Sequence, residues 1–211
     1  MANVLRFETA GLLLRPYHSG DAGEVWRVIR KPEIYATTAF IPKNYPRPRA
    51  DWWIRYVNTA IKNRTGYELG IFDRETGRYF GNVGLVNVRR EMKSASVAYH
   101  IDPEWWEHGI ATEACARMVQ FGFETLQLER IGGTCMTVNP ASRRVMEHLG
   151  FSVEGVARHE LLKDEKFYDI THLSLLREEW EAGRLSGQAF PAPVKTAFPA
   201  QNANPERMKE Q

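Results

Sequence analysis

Between Val97 and Phe123 the sequence changes character twice, and the change creates a place for an anion. An apolar, strand-like run through Tyr99, His100 and Ile101 stops at Asp102-Pro103. A short aromatic loop containing Trp106, Glu107 and His108 then leads to Gly109-Ile110-Ala111-Thr112-Glu113-Ala114, which opens an amphipathic helix ending near Phe123. The first N–H groups of a helix have no intrahelical acceptor and carry partial positive charge, so a glycine turn from strand into helix gathers donors around an anion. The chemistry indicated is the binding of a cofactor phosphate rather than of a metal or a nucleic acid. A second helix start of this kind lies at Asn139-Pro140-Ala141-Ser142, where Asn139 or Ser142 can cap and proline is tolerated in the first turn.

Other reactive side chains do not assemble into a different chemistry. Cys115 and Cys135 occupy apolar runs without a CxxC spacing, which is the pattern of buried free thiols. His159, His172 and Asp169 lack compact ligand spacing, so no metal is expected. A net charge of +2, with basic residues dispersed among acidic ones, gives no reason for direct nucleic-acid binding. No apolar run is long enough to span a bilayer and no secretory or lipidation signal opens the chain, so the expectation is a cytoplasmic protein without a membrane partner. Hydrophobic residues at 43% support one well-cored domain in a chain of 211 residues.

The elements that must position these groups follow from periodicity and punctuation. Residues 1–10 read as a leader, and residues 12–16 as a strand ended by Pro16. A helix capped by Asp21, with Glu24 completing a capping box, runs to about Arg30, where Lys31-Pro32 stops it. Residues 34–48 read as irregular. A helix over 49–63 places Trp53, Tyr56, Val57 and Ile61 on one face and turns Trp52 partly away, so the helix can serve both a core and a substrate groove. Strands over 67–72, 79–88 and 94–101 pair antiparallel, with Gly81 and Gly84 marking a bulge or a close backbone approach. A helix over 110–126, a strand over 131–138, a helix to Leu149 closed by Gly150 and a hairpin of 151–162 with 167–176 complete the domain, 11–182. The strand–helix–strand passage asks for a right-handed crossover between parallel neighbours, giving an α/β mixed, mostly antiparallel sheet flanked by helices. Residues 183–211, rich in Pro and Ala, read as a flexible tail.

In that order and spacing, Val97-Ala98-Tyr99-His100-Ile101, Trp106 to Ala114, Asn139-Pro140-Ala141-Ser142, Leu149-Gly150-Phe151 and Glu154-Gly155-Val156 resemble the GCN5-related N-acetyltransferase (GNAT) superfamily, in particular its RimJ/RimL-like branch. The resemblance implies acetyl-CoA as donor, with the backbone of Trp106 to Ala111, and Thr112 beside it, around the pyrophosphate. It implies that the strand through Tyr99, His100 and Ile101 parts from its parallel neighbour to admit the pantetheine arm, with Asn139 orienting the cofactor. Trp106 and Glu107 depart from the family pattern, and Glu107 must point to solvent to spare a diphosphate.

For proton transfer the resemblance implies Ser142 as donor to the CoA sulfur. Many relatives carry a tyrosine where Met146 stands, and methionine donates nothing. The base is Glu160, Glu68 or a water chain; Glu160 falls one residue before the matching strand position, and only a bulge would restore its direction. Trp52, Tyr56, Glu68 and Tyr168 are the candidate acceptor-binding residues, and Asp169 the more structural neighbour. The expected activity is acetyl transfer to a primary amine, first a protein or peptide N-terminus, alternatively a small antibiotic or metabolite amine; a noncatalytic acyl-CoA-binding module is the competing class. The resemblance also allows a homodimer.

Overall fold

The structure, a computed structural model, describes residues 5–185. Its elements are β1 (Phe7–Glu8), β2 (Leu12–Arg15), α1 (Ala22–Ile29), α2 (Pro32–Thr37), α3 (Arg47–Asn63), β3 (Tyr67–Asp73), β4 (Tyr79–Arg89), β5 (Ser94–Ile101), α4 (Ile110–Glu124), β6 (Arg130–Met136), α5 (Pro140–His148), β7 (Ser152–Lys163), β8 (Lys166–Leu176) and α6 (Arg177–Leu185). They build one eight-stranded sheet in the order β1-β2-β3-β4-β5-β6-β8-β7. Every neighbouring pair is antiparallel except β5 with β6, which α4 joins as a parallel crossover. This is the expected mixed, mostly antiparallel sheet flanked by helices.

Burial explains why the central strands read as nearly continuous apolar runs. β3 and β4 are covered on both faces, since one core cluster unites α4 and α5 with the sheet and a second gathers α1 to α3 around Tyr17, Phe72 and Tyr79. Outer strand β7 is largely exposed along its length. Both cysteines are free and buried.

Five local features differ from the sequence reading. Phe7 and Glu8, inside the supposed leader, pair with Leu14 and Leu13 of β2. Pro32 ends one helix and starts another: its fixed φ suits the first turn of α2, where a missing N–H costs nothing, so part of the region read as irregular is helical. Asp21 does not cap α1 with its side chain; its carboxylate instead pairs with Arg15 at 2.7 Å and accepts from the His18 N–H. On α3 the buried stripe is Ala50, Ile54 and Val57, and Tyr56 turns out with Trp52, the two rings stacking at 5.3 Å. The α6 helix reaches Leu185, past the expected start of the tail, and the remainder of that tail lies outside the described residues.

Gly81 shows why glycine punctuates β4. Ile71 pairs with Gly81 and Phe72 with Tyr79, so Phe80 is the extra residue of a bulge. Gly81 has φ 153°, and a Cβ there would overlap the His100 carbonyl oxygen. Gly81→Ala is therefore expected to destabilise the fold by about 3 kcal/mol, through overpacking against backbone that cannot move aside. Urea unfolding of the variant beside Gly84→Ala and wild type measures this.

Candidate active site

The site begins where two parallel strands part. β5 and β6 are in register only from Ser94↔Arg130 to Ser96↔Gly132; beyond this, Val97 to Ile101 have no strand on the β6 side. The seam is held open by packing: the Met146 sulfur sits against Gly133, close enough that a Cβ on Gly133 would overlap it, with Val97 on the other side. Met146 is 1% exposed, so this position supplies a buried packing group and no proton donor.

Hydroxyls are nevertheless present at the seam. Tyr99, on β5, reaches α5 and places its OH 2.9 Å from both the Ser142 carbonyl and Ser142 Oγ. Desolvation pushes the Tyr99 phenol well above its ordinary value, with the nearby Cys115 acting in the same direction, so it remains a protonated donor. Asn139 Oδ1 accepts from the Ser142 N–H at 3.1 Å, fixing the start of α5.

The loop leading out of the seam is an N–H cradle. Glu107 and Gly109 both adopt left-handed φ, 65° and 75°, which turns the chain sharply into α4. Among the described residues, no hydrogen bond is made by the N–H groups of Glu107, His108, Gly109, Ile110, Ala111 or Thr112. Trp106 folds back and donates Nε1–H to the Ile101 carbonyl at 2.8 Å, closing the strand end. Glu107 is exposed, and His108 is exposed with Nδ1 2.7 Å from the Trp106 carbonyl. The free amides and the unpaired strand edge fit a pyrophosphate and an amide-bearing arm, as acetyl-CoA carries.

Buried charge anchors this loop to the first helical layer. Asp102, 0% exposed, accepts from Arg27 at 2.9 Å and Lys31 at 2.6 Å, and its carboxylate also caps the Glu104 N–H. Despite the opposing cost of burial, these partners hold its carboxyl below the usual aspartate range.

The opposite face of the sheet carries the acidic candidate. Glu68 lies in the cross-strand row Glu68–Gly84–Ala98, and Gly84 leaves room for its side chain. Its carboxyl opens into a groove of about 590 Å³ lined by Tyr56, Ala60, Val86, Val88, Arg89 and Ser96, among others. Desolvation raises its pKa, against the lowering effect of the Asn82 amide, which donates at 3.2 Å. Glu160 is differently placed. β7 does bulge between Ala157 and Leu161, but the Glu160 carboxylate is exposed and engaged by His172 Nε2 at 2.5 Å. Tyr168 lies half-buried on β8 with Lys166 over its ring at 5.1 Å. His100, on β5 opposite Asn82, has a buried Nε2 with no partner, and desolvation pulls its pKa down to about 4, so it is neutral at pH 7. The partnership of Tyr99 with Ser142 and that of Asn82 with Glu68 escaped the sequence reading; strand alternation was the signal that puts Tyr99 and His100 on opposite faces.

A parted parallel strand pair over an N–H cradle is an arrangement suited to an acyl-CoA donor. The model of the acetyltransferase (GNAT) domain matches residues 11–152, and the chain belongs to that family. The chain is similar to an uncharacterized N-acetyltransferase, YoaA, of Bacillus subtilis, 29% identical over 81% of this chain and 96% of the relative. It is 26% identical to the ribosomal protein uS5 alanine N-acetyltransferase of Escherichia coli, over 85% and 95% of the two chains. In fold it resembles spermidine N-acetyltransferase of Vibrio cholerae, solved with CoA and spermine: TM-score 0.71, 21% identity, 81% and 98% coverage. The protein is an acetyl-CoA-dependent N-acetyltransferase. Among the described residues there is no cluster fit to hold a metal ion and no helix long and apolar enough to cross a membrane.

Asp102→Asn is expected to cost about 2 kcal/mol at neutral pH, less than a fully enclosed pair because Arg27 and Lys31 reach solvent. The Asp102 pKa is lowered by folding, so its contribution is complete above the ordinary aspartate pKa and disappears as pH falls through the folded value. The wild-type advantage in urea unfolding should therefore shrink from pH 7 towards pH 3, and acetyl-CoA should bind the variant more weakly at pH 7.

Proposed function

We propose that the chain is a RimJ/RimL-like enzyme whose acceptor is the α-amine of a protein or peptide N-terminus, with Glu68 as general base. The observation that carries this is Glu68 itself: a carboxyl with a raised pKa in the lining of a groove, facing away from the N–H cradle side of the sheet. A peptide α-ammonium, with a pKa of about 8, gives its proton to such a carboxylate more readily than a lysine at about 10.4. The engaged, exposed position of Glu160 favours Glu68 over it.

The groove entrance suits a polypeptide end. Tyr56 lines the groove and stacks on the exposed Trp52, the two rings offering a platform for the first side chains of an acceptor. Further along, α2 is strapped across the site: Asn139 Nδ2 donates to the Thr37 carbonyl at 3.1 Å, Lys163 donates to the carbonyls of Tyr35 and Thr38, and the Tyr35 hydroxyl donates to Asp164. A strap there favours a chain terminus entering from one side over an internal lysine on a chain passing through. The relationship to the uS5 alanine acetyltransferase supports the same class of acceptor.

Acetyl-CoA, when bound, supplies a thioester carbonyl that a neutral amine can attack. Glu68 takes the amine proton, directly or through one water. The unpaired β5 edge offers a fixed N–H to the charge developing on the carbonyl oxygen. The Ser142 hydroxyl gives its proton to the departing thiolate, and Tyr99, hydrogen-bonded to it, is placed to replenish that proton.

Incubation with acetyl-CoA and a panel of peptides with free α-amines, Nα-blocked lysine peptides and spermidine, read by mass spectrometry, is expected to show α-amine acetylation first. Preference for spermidine or for the blocked lysine peptides sinks the acceptor assignment. Glu68→Gln should lower kcat by about 10²-fold, and Ser142→Ala by roughly tenfold because Tyr99 remains. Because the base must be ionised, kcat/KM should rise with pH through a limb displaced above the ordinary glutamate range.

A further inference from the structure

Behind Glu68 lies a line of buried polar groups that the proposed reaction does not use directly. Asn82, 3% exposed, donates Nδ2–H to Glu68 Oε1 at 3.2 Å. Its Oδ1 accepts from the Tyr17 hydroxyl at 2.8 Å, and the Tyr17 oxygen lies 3.3 Å from the Tyr79 hydroxyl. Tyr17 is held as rigidly as a core residue: its ring packs on Trp53 at 5.1 Å, and its carbonyl accepts from Asn58 at 2.9 Å. A phenol beside an amide oxygen acts as the donor, so the line has one direction: Tyr79 to Tyr17, Tyr17 to Asn82, Asn82 to Glu68.

That direction has a consequence for the amide. An asparagine can present either its oxygen or its NH2 group to a neighbour, and only the NH2 group favours an ionised carboxylate. Tyr17 binds the oxygen end and so turns the NH2 end towards Glu68. We propose that Asn82, oriented by Tyr17, is a positioning residue that keeps Glu68 ionised and aimed into the groove. The proposal rests on the reading of Glu68 as the base. It is independent of which amine is the acceptor.

The other groups around Glu68 leave this task to Asn82. Ser96 from β5 and Tyr56 from α3 present hydroxyl groups to the groove, and Arg89 stands at the far end of β4 in the same groove. His100, across from Asn82, is neutral at pH 7. Asp21, which acts on Tyr17 through space, is itself paired with Arg15.

The test titrates the carboxyl directly in the protein without ligand. Protein labelled with 13C at glutamate side-chain carboxyls is followed by NMR against pH, the Glu68 signal being the one absent from Glu68→Gln. Tyr17→Phe keeps the ring packing but removes the donor, and is expected to raise the Glu68 midpoint by about one pH unit. The acid limb of kcat/KM for the best peptide of the panel should move up equally, with KM for acetyl-CoA unchanged. Asn82→Leu should raise the midpoint at least as far. An unchanged midpoint in folded Tyr17→Phe overturns the positioning role while leaving the base assignment standing. Wild-type kcat in Glu68→Gln instead removes the base assignment, and the catalytic meaning of Asn82 with it.

Discussion

The separation of β5 from β6 after Ser96 and Gly132 is the constraint on which the rest of the site depends. Parallel strands joined by a helical crossover would ordinarily pair along their whole length, since every unpaired edge amide forgoes a hydrogen bond. Here Met146 packs into the seam against Gly133, and the Tyr99 side chain reaches from β5 to bond α5. The seam thus exposes an edge of main-chain donors and acceptors inside the protein, next to the hydroxyls of Ser142 and Tyr99. A ligand with its own amides can replace the missing strand without disturbing the sheet.

Two layers meet near that seam, and charge ties the cradle loop to the first helical layer. Asp102 lies at the end of β5, immediately before the loop, and binds Arg27 and Lys31 from the α1 region. Moving the first helical layer would strip partners from a fully buried carboxylate, which is costly. The strap from α2 to Asn139 and Lys163 adds a second tie. The geometry of the N–H cradle and the position of the first helical layer are therefore set together.

Much of the architecture was legible because it rests on local rules. Alternation and glycine punctuation gave the strands, and the apolar run from Ile110 gave α4. The misreadings have equally local causes. Pro32 looks like a stop because its ring ends α1, yet the same fixed φ starts α2. Tyr56 looks like a core residue at helical spacing, but Ala50, Ile54 and Val57 define the buried stripe and leave it beside Trp52. Asp21 has a capping sequence, and Arg15 competes for its carboxylate.

The sequence alone determined the order of most elements, the parallel crossover and the helix start at Gly109 that leaves amides free. These follow from chain chirality and from the i→i−4 bonding rule, which act on neighbours along the chain. Only the tertiary structure decided which polar groups share a site. Ser142 meets Tyr99, Glu68 meets Asn82, and Asn82 in turn meets Tyr17, across separations that no motif spans. The raised pKa of Glu68 is likewise a property of the groove around it, because desolvation depends on what the folded chain brings near.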